Sequence, residues 1–378
     1  MNTTAPTPPP EDSTPVRPIY DSALQPKLDA LDLTLFTSIE RIRAVSAAFS
    51  VDTVLAGVPH MEHKEYTIDA LDAPVTISVF SPKPATTTTP TEGGRRPAVY
   101  IIHGGGQIAG NRFSALDSLI RLFTADVPDI VAISVEYRLA PEHRAPAALN
   151  DAYAGLAWVC DPVNAATLGV DPARIVILGG SGGGPIAAGC ALLARDNRKS
   201  SNREQGPNLL GQMLLTPMLD DRGITVSAKQ FQSVGPWCGG TNQMAWDCVL
   251  GRSSDGDGDN SPSGNKPPCD RDRDRDLEAQ AAAQVDHLVS PARATDLAGL
   301  PPTFIDAGEA EVFRDEAVAY ASRLWTCGVS AELHVWKGAW HGFDMETPGV
   351  DGGSEVAVAR ASIAAKKSWI RRIFAVKE

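Results

Sequence analysis

The chain is short of aromatic residues, of cysteine and of positive charge. Of its 378 residues 6% are aromatic and six are cysteine, and 34 Lys and Arg stand against 46 Asp and Glu, giving a net charge of −12. That deficit argues against nucleic acid and acidic membrane surfaces as partners, since both require basic patches. No apolar run reaches the length of a membrane span. The cysteines (Cys160, Cys190, Cys238, Cys248, Cys269 and Cys327) show neither paired spacing nor metal-ligand spacing with histidine. They read as reduced, mostly structural thiols in a cytoplasmic protein with no metal or cofactor. The opening MNTTAPTPPPEDSTP is polar and proline-rich, unlike a signal peptide, and residues 1–19 are expected to form a disordered tail.

What is present is an alternation of strand and helix patterns. Residues 20–49 have helical apolar spacing (Leu28, Leu31, Leu35, Ile39, Ile42), and 64–80 read as two strands. Strands follow at 97–102, 130–136, 175–178, 302–307 and 331–336. Helices are predicted near 114–125, 146–160, 185–195, 313–326 and 355–374. This order predicts an α/β fold with a mainly parallel sheet covered on both faces. The low-complexity stretch 253–276, rich in Asp-Arg repeats, is expected to be a disordered surface insertion.

Glycine is abundant, with 33 in the chain, and five of them surround one serine in ARIVILGGSGGGPIAAGCALLAR (173–195). An all-apolar strand precedes Ser181 and an Ala/Leu-rich helix follows it. Gly179-Gly180-Ser181-Gly182-Gly183 therefore fits the strand–turn–helix elbow that exposes a nucleophile. A serine nucleophile needs donors for an oxyanion, a base and an acid. The donors are expected from His103-Gly104-Gly105-Gly106 at the end of an apolar strand, completed by the N–H of Gly182. A phosphate-binding turn is the competing reading of these glycines, but it lacks the Lys-Ser/Thr of a P-loop and the G-x-G-x-x-G spacing. Among seven histidines, His341 is the one that opens a loop after the last strand. The acid lies among Glu309, Glu311, Asp315 and Glu316, which the residues alone do not separate.

Six collinear stretches resemble the hormone-sensitive-lipase-like esterases of the α/β-hydrolase fold. They are HGGG (103–106), VEYRLAPEHRAPAALND (135–151), GVDPARIVILGGSGGG (169–184), LLTPMLDDR (214–222), AGEAEVFRDEAVAYASRL (307–324) and HGFD (341–344). The resemblance covers the chain from about residue 60 to the end, apart from the insertion. It implies a carboxylic-ester hydrolase with Ser181 as nucleophile, Glu311 as acid and His341 as base, and with Gly105, Gly106 and Gly182 as oxyanion donors. It also implies one hydrolase domain over 61–378. A cap formed by helices in 20–60 and by the insertion 223–289 would cover the site. Two departures stand out: the family's usual Gly-Asp-Ser-Ala-Gly-Gly is here Gly-Gly-Ser-Gly-Gly-Gly, and its common Asp acid is here a Glu. Glu136, Arg138, Asp220 and Asp221 are read as a structural ion-pair network.

Phe231, Trp237 and Trp246 in the cap suggest an apolar pocket for a small-molecule ester, and a homodimer is compatible with the sequence. The competing class is a receptor-like member of the fold that binds a small molecule without catalysis, but such relatives lose the histidine that is present here. Lactone, amide or elimination chemistry would use the same parts.

Overall fold

The apolar runs become strands buried on both faces, as a parallel sheet covered by helices requires. The computed structural model describes residues 15–70, 72–84, 95–200, 206–252, 285–344 and 356–375. The N-terminal tail through residue 14 and the charged insertion 253–276 lie outside them. The strands are β1 (Met61–Ile68), β2 (Val75–Pro82), β3 (Arg96–Ile102), β4 (Val131–Glu136), β5 (Val170–Gly180), β6 (Leu209–Leu215), β7 (Thr303–Gly308) and β8 (Ala331–Trp336). They form one sheet in the order β1-β2-β4-β3-β5-β6-β7-β8. β1 and β2 are antiparallel to each other, and β2 is antiparallel to β4. The strands from β3 to β8 run parallel.

The helices are α1 (Gln25–Asp29), α2 (Ile39–Ser46), α3 (Val51–Gly57), α4 (Leu116–Thr124), α5 (Ala147–Cys160), α6 (Pro162–Leu168), α7 (Gly183–Ser200), α8 (Val226–Gln230), α9 (Gly239–Leu250), α10 (Arg314–Thr326) and α11 (Ala357–Ala375). Side chains of β3 divide between two cores with the strand period of two. Ala98, Tyr100 and Ile102 pack with α5, α7 and α10, while Val99 and Ile101 pack with α4 and α11. Fully burying one such aliphatic side chain stabilises the fold by about 1.5–3 kcal/mol. Tyr100 is buried with its hydroxyl satisfied, donating to the Ala152 carbonyl at 2.9 Å. Gly155 leaves the room, since a Cβ there would lie 2.3 Å from that hydroxyl.

Two features lay outside the sequence reading. The helical apolar spacing over 20–49 is not continuous. It is cut into α1, a 3-10 turn (Leu33–Phe36) and α2 because polar side chains cap new starts: Asp32 accepts from the Thr34 N–H, and Ser38 from that of Arg41. Strand β6 was not expected. Its apolar run supplies the central rung between β5 and β7.

Helices α2, α8 and α9 form a covering layer with its own core of Ile42, Phe231, Trp237, Trp246 and Val249 against Met218 and Phe313. Arg43 of α2 fastens this layer down. It donates to the carbonyls of Ile108 (2.7 Å) and Ala140 (3.0 Å) and pairs with Glu142 at 2.7 Å. No described helix is long and apolar enough to cross a membrane.

Candidate active site

Ser181 sits between β5 and α7 with φ +50°, the left-handed region that a β-carbon disfavours. Glycines make the turn tight enough to hold it there. A Cβ on Gly179 would lie 2.3 Å from the Gly183 carbonyl oxygen, and one on Gly183 would lie 2.2 Å from that of Ile102. Side chains at these positions would hold the helix off the sheet. Backbone bonds complete the frame: the Ser181 N–H donates to Leu215 at 2.9 Å, and the Ser181 carbonyl accepts from Gly184 (2.9 Å) and Met218 (3.1 Å).

The neighbouring strands β7 and β8 deliver two more side chains to the serine. His341 Nε2 is 3.0 Å from Ser181 Oγ, and His341 Nδ1 is 2.6 Å from Glu311 Oε2. A carboxylate only accepts, so Nδ1 carries the proton and Nε2 is left to accept from the serine hydroxyl. Glu311 is fully enclosed, and its Oε1 accepts from the Gly308 N–H at 2.5 Å. Phe313 meets the imidazole edge-on, with centroids 5.2 Å apart.

The other three acid candidates face elsewhere. Glu309 accepts from the Gly338 N–H at 2.9 Å, bracing the turn before His341. Asp315 pairs with Arg314 and accepts from the Ser227 N–H at 2.7 Å. Glu316 accepts from the Leu219 N–H at 2.6 Å, and burial pushes its carboxyl well above the usual range.

The glycine loop after β3 lies directly against the elbow. A Cβ on Gly104 would be 3.3 Å from that of Ser181, and one on Gly182 would be 2.4 Å from the Gly106 nitrogen. Gly105 and Gly106 both have positive φ, at 103° and 62°. Among the described residues the N–H groups of Gly105, Gly106 and Gly182 have no acceptor, an unusual state for the buried Gly106 and Gly182. His103 is not a proton-transfer group here. Its Nδ1 bonds the Gly104 carbonyl at 2.8 Å, its ring stacks on Tyr137, and burial pushes its pKa down to about 4.

A family model described as the alpha/beta hydrolase fold matches residues 99–345. The chain belongs to that family. It is 31% identical to carboxylesterase NlhH of Mycobacterium tuberculosis over 87% of this chain and 90% of that protein. It is 30% identical to carboxylic ester hydrolase LipN of the same organism, over 82% of this chain and 76% of that one. Among solved structures, a bacterial heroin esterase superposes with a TM-score of 0.73 at 30% identity, covering 94% of this chain and 98% of that one. Esterase LipW from Mycobacterium marinum superposes with a TM-score of 0.68 at 29% identity, covering 96% and 99%.

This alpha/beta hydrolase has a cavity of about 490 Å³ opening onto Ser181 and His341. Leu31, Phe36, Ile42, Val45, Phe49 and Trp237 supply its apolar wall. Of the three aromatic residues expected in the pocket, only Trp237 lines it. Phe231 and Trp246 are buried in the core of the covering layer. There they pack with Val249, Met218 and Phe313 rather than facing the cavity. The wall residues from 31 to 49 escaped sequence reading, whose one available signal was their helical spacing.

The expected ion-pair network resolves into separate small groups. Glu136 meets Arg112, Arg138 meets Asp151, Asp220 meets Arg222, and Asp221 is shared by Arg252 and Arg293. Among the described residues no group of three His, Cys, Asp or Glu side chains is placed to hold a metal ion.

Proposed function

We propose that the protein hydrolyses small apolar carboxylic esters, with Ser181 as nucleophile, His341 as general base and acid, and Glu311 as orienting acid. The observation that carries this reading is the unbroken hydrogen-bonded line Glu311–His341–Ser181, which ends in an apolar cavity beside unpartnered backbone N–H groups. The relatives are named as ester hydrolases, and the same bond class is assigned to this chain.

The steps follow from the atoms. Ser181 Oγ attacks the ester carbonyl as its proton passes to His341 Nε2, and the carbonyl π electrons move onto oxygen. Glu311 stabilises the imidazolium and fixes its tautomer. The N–H groups of Gly105, Gly106 and Gly182 take the oxyanion, each contributing about 3–4 kcal/mol at the transition state. The imidazolium then protonates the leaving alcohol. Water, deprotonated by His341, releases the acid and restores the serine.

The layer drawn from residues 20–60 and from 223 onward is read as a cap on one hydrolase domain beginning near residue 61. The cavity wall favours apolar groups, since Leu31, Phe36, Ile42, Val45, Phe49 and Trp237 line it. Five described cysteines are free, and burial pushes the Cys160 thiol up to about 12, which suits a reducing, cytoplasmic setting.

The test is turnover of p-nitrophenyl esters of graded acyl length, with Ser181→Ala as background. Short and medium chains are expected to turn over well above that background. A wild-type protein no faster than Ser181→Ala on every ester would sink the reading.

A further inference from the structure

Gly106 is held between two parts of the protein that are distant in sequence. On the elbow side, a Cβ on Gly182 would lie 2.4 Å from the Gly106 nitrogen, 2.6 Å from its Cα and 2.8 Å from the Gln107 nitrogen. No real β-carbon tolerates backbone closer than 3.0 Å, so the elbow meets the loop with no room for one methyl group. On the cap side, a Cβ on Gly106 would lie 2.4 and 2.6 Å from two ring carbons of Trp237, and 3.2 Å from the Ala245 methyl. The indole therefore rests on the bare Cα of Gly106.

The loop has little freedom elsewhere. A Cβ on Gly105 would strike the Ala109 carbonyl oxygen at 2.2 Å, and Ile108 and Ala109 both donate back to the Gly105 carbonyl. Arg43 fixes the Ile108 carbonyl from the cap. Trp237 itself is anchored, with 4% of its surface exposed and its indole N–H directed at Asn242 at 3.5 Å.

We propose that Trp237 is a positioning residue: its ring clamps Gly106 against Gly182, so that docking of the cap sets the oxyanion hole. This rests on the catalytic reading above. It also gives the glycine at 182 a purpose. The missing methyl allows the loop N–H groups a closer approach to the elbow than an alanine would. The ring that closes the apolar pocket is thus the same ring that holds the oxyanion donors. Donor distance is decisive for an oxyanion hole, and displacement of about 1 Å costs about a hundredfold in rate.

The test is a double-mutant cycle on Gly182→Ala and Trp237→Leu, read as kcat and KM on a p-nitrophenyl ester. The methyl of Gly182→Ala must drive the Gly106 nitrogen back by more than half an ångström, against the indole. We expect kcat to fall about a hundredfold with KM within about threefold. Trp237→Leu alone should lower kcat several-fold by loosening the loop. In the Gly182→Ala background the same change should raise kcat about tenfold, because the loop can then retreat as a unit and keep its donors aligned. This reversal of sign is the signature of the clamp.

A trifluoromethyl ketone supplies a second readout. Ser181 Oγ bonds its carbonyl carbon, the serine proton passes to His341, and the carbonyl oxygen becomes the bound oxyanion. Its affinity should fall in step with kcat in Gly182→Ala. Should Gly182→Ala not fold, Gly106→Ala with and without Trp237→Leu probes the other side of the clamp, and trimming the ring should raise turnover, short of wild type because an alanine at φ +62° stays strained. Wild-type kcat in Gly182→Ala overturns the proposal, as do losses that simply multiply in the double mutant. If Ser181→Ala keeps its activity, the catalytic reading falls and this inference falls with it. If Ser181→Ala is inactive while Gly182→Ala is unimpaired, only the clamp is overturned.

Discussion

Glu311 and His341 meet at 2.6 Å although 30 positions separate them, because each follows one of two paired parallel strands. Gly308 at the end of β7 lies beside Trp336 at the end of β8, and the two loops leave the sheet side by side. The second Glu311 oxygen is held by the Gly308 N–H, so the carboxylate is fixed to the strand end rather than to the helix after it.

Removing that charge without changing shape should stop turnover. Glu311→Gln is expected to lower kcat about 10³–10⁴-fold, because an amide neither stabilises the imidazolium nor enforces its tautomer. Glu311→Asp keeps the charge but loses reach and should fall in between. Glu309→Gln should keep most activity, since Glu309 only braces Gly338. An inactive, stable Glu309→Gln protein would show that the acid is misassigned.

Ser181→Ala should fold normally and lose activity by about 10⁴-fold or more. Adding His341→Ala should cost little further, because the two groups act as a unit. Turnover and melting temperature of Ser181→Ala, His341→Ala and the double mutant check this. A double mutant whose loss is the product of two large single losses contradicts it.

His103 should make the protein acid-labile. Its pKa is about 4 when folded against 6.5 ordinarily, so the unfolded chain takes the proton first as pH falls. The stabilising contribution is complete above about pH 6.5 and is lost on descent towards pH 4. The total is about 3 kcal/mol. Urea unfolding at pH 7 and pH 5 should show this slope, and His103→Gln should flatten it. An unchanged slope in His103→Gln would falsify the assignment.

Trp246 and Trp237 should separate by phenotype. Trp246→Ala empties a packed position and should cost about 3–5 kcal/mol of stability. Substrate preference among active, folded molecules should remain close to wild type, because Trp246 is absent from the cavity wall. Comparing melting temperature with the acyl-length profile tests this. A changed profile at unchanged stability would return Trp246 to the pocket.

What the sequence by itself determined was local. Strand period, helix composition and the glycines around Ser181 are readable over short windows because steric limits act between chain neighbours. Hence the strand–elbow–helix unit, the glycine loop after β3 and the loop carrying His341 were all legible. The tertiary structure decided what depends on distant contacts. Four carboxylates within eight residues have similar local claims, and only the pairing of β7 with β8 brings Glu311 rather than Glu309 to the imidazole. Phe231, Trp237 and Trp246 look alike in sequence, and only the packing around α8 and α9 places Phe231 and Trp246 in a core while turning Trp237 towards Gly106. The apolar spacing of 20–49 marked helix but not its breaks, which the side-chain caps at Asp32 and Ser38 set, so that its segments fold over the site. Burial and long-range packing, which no short window contains, set the shape of the cavity.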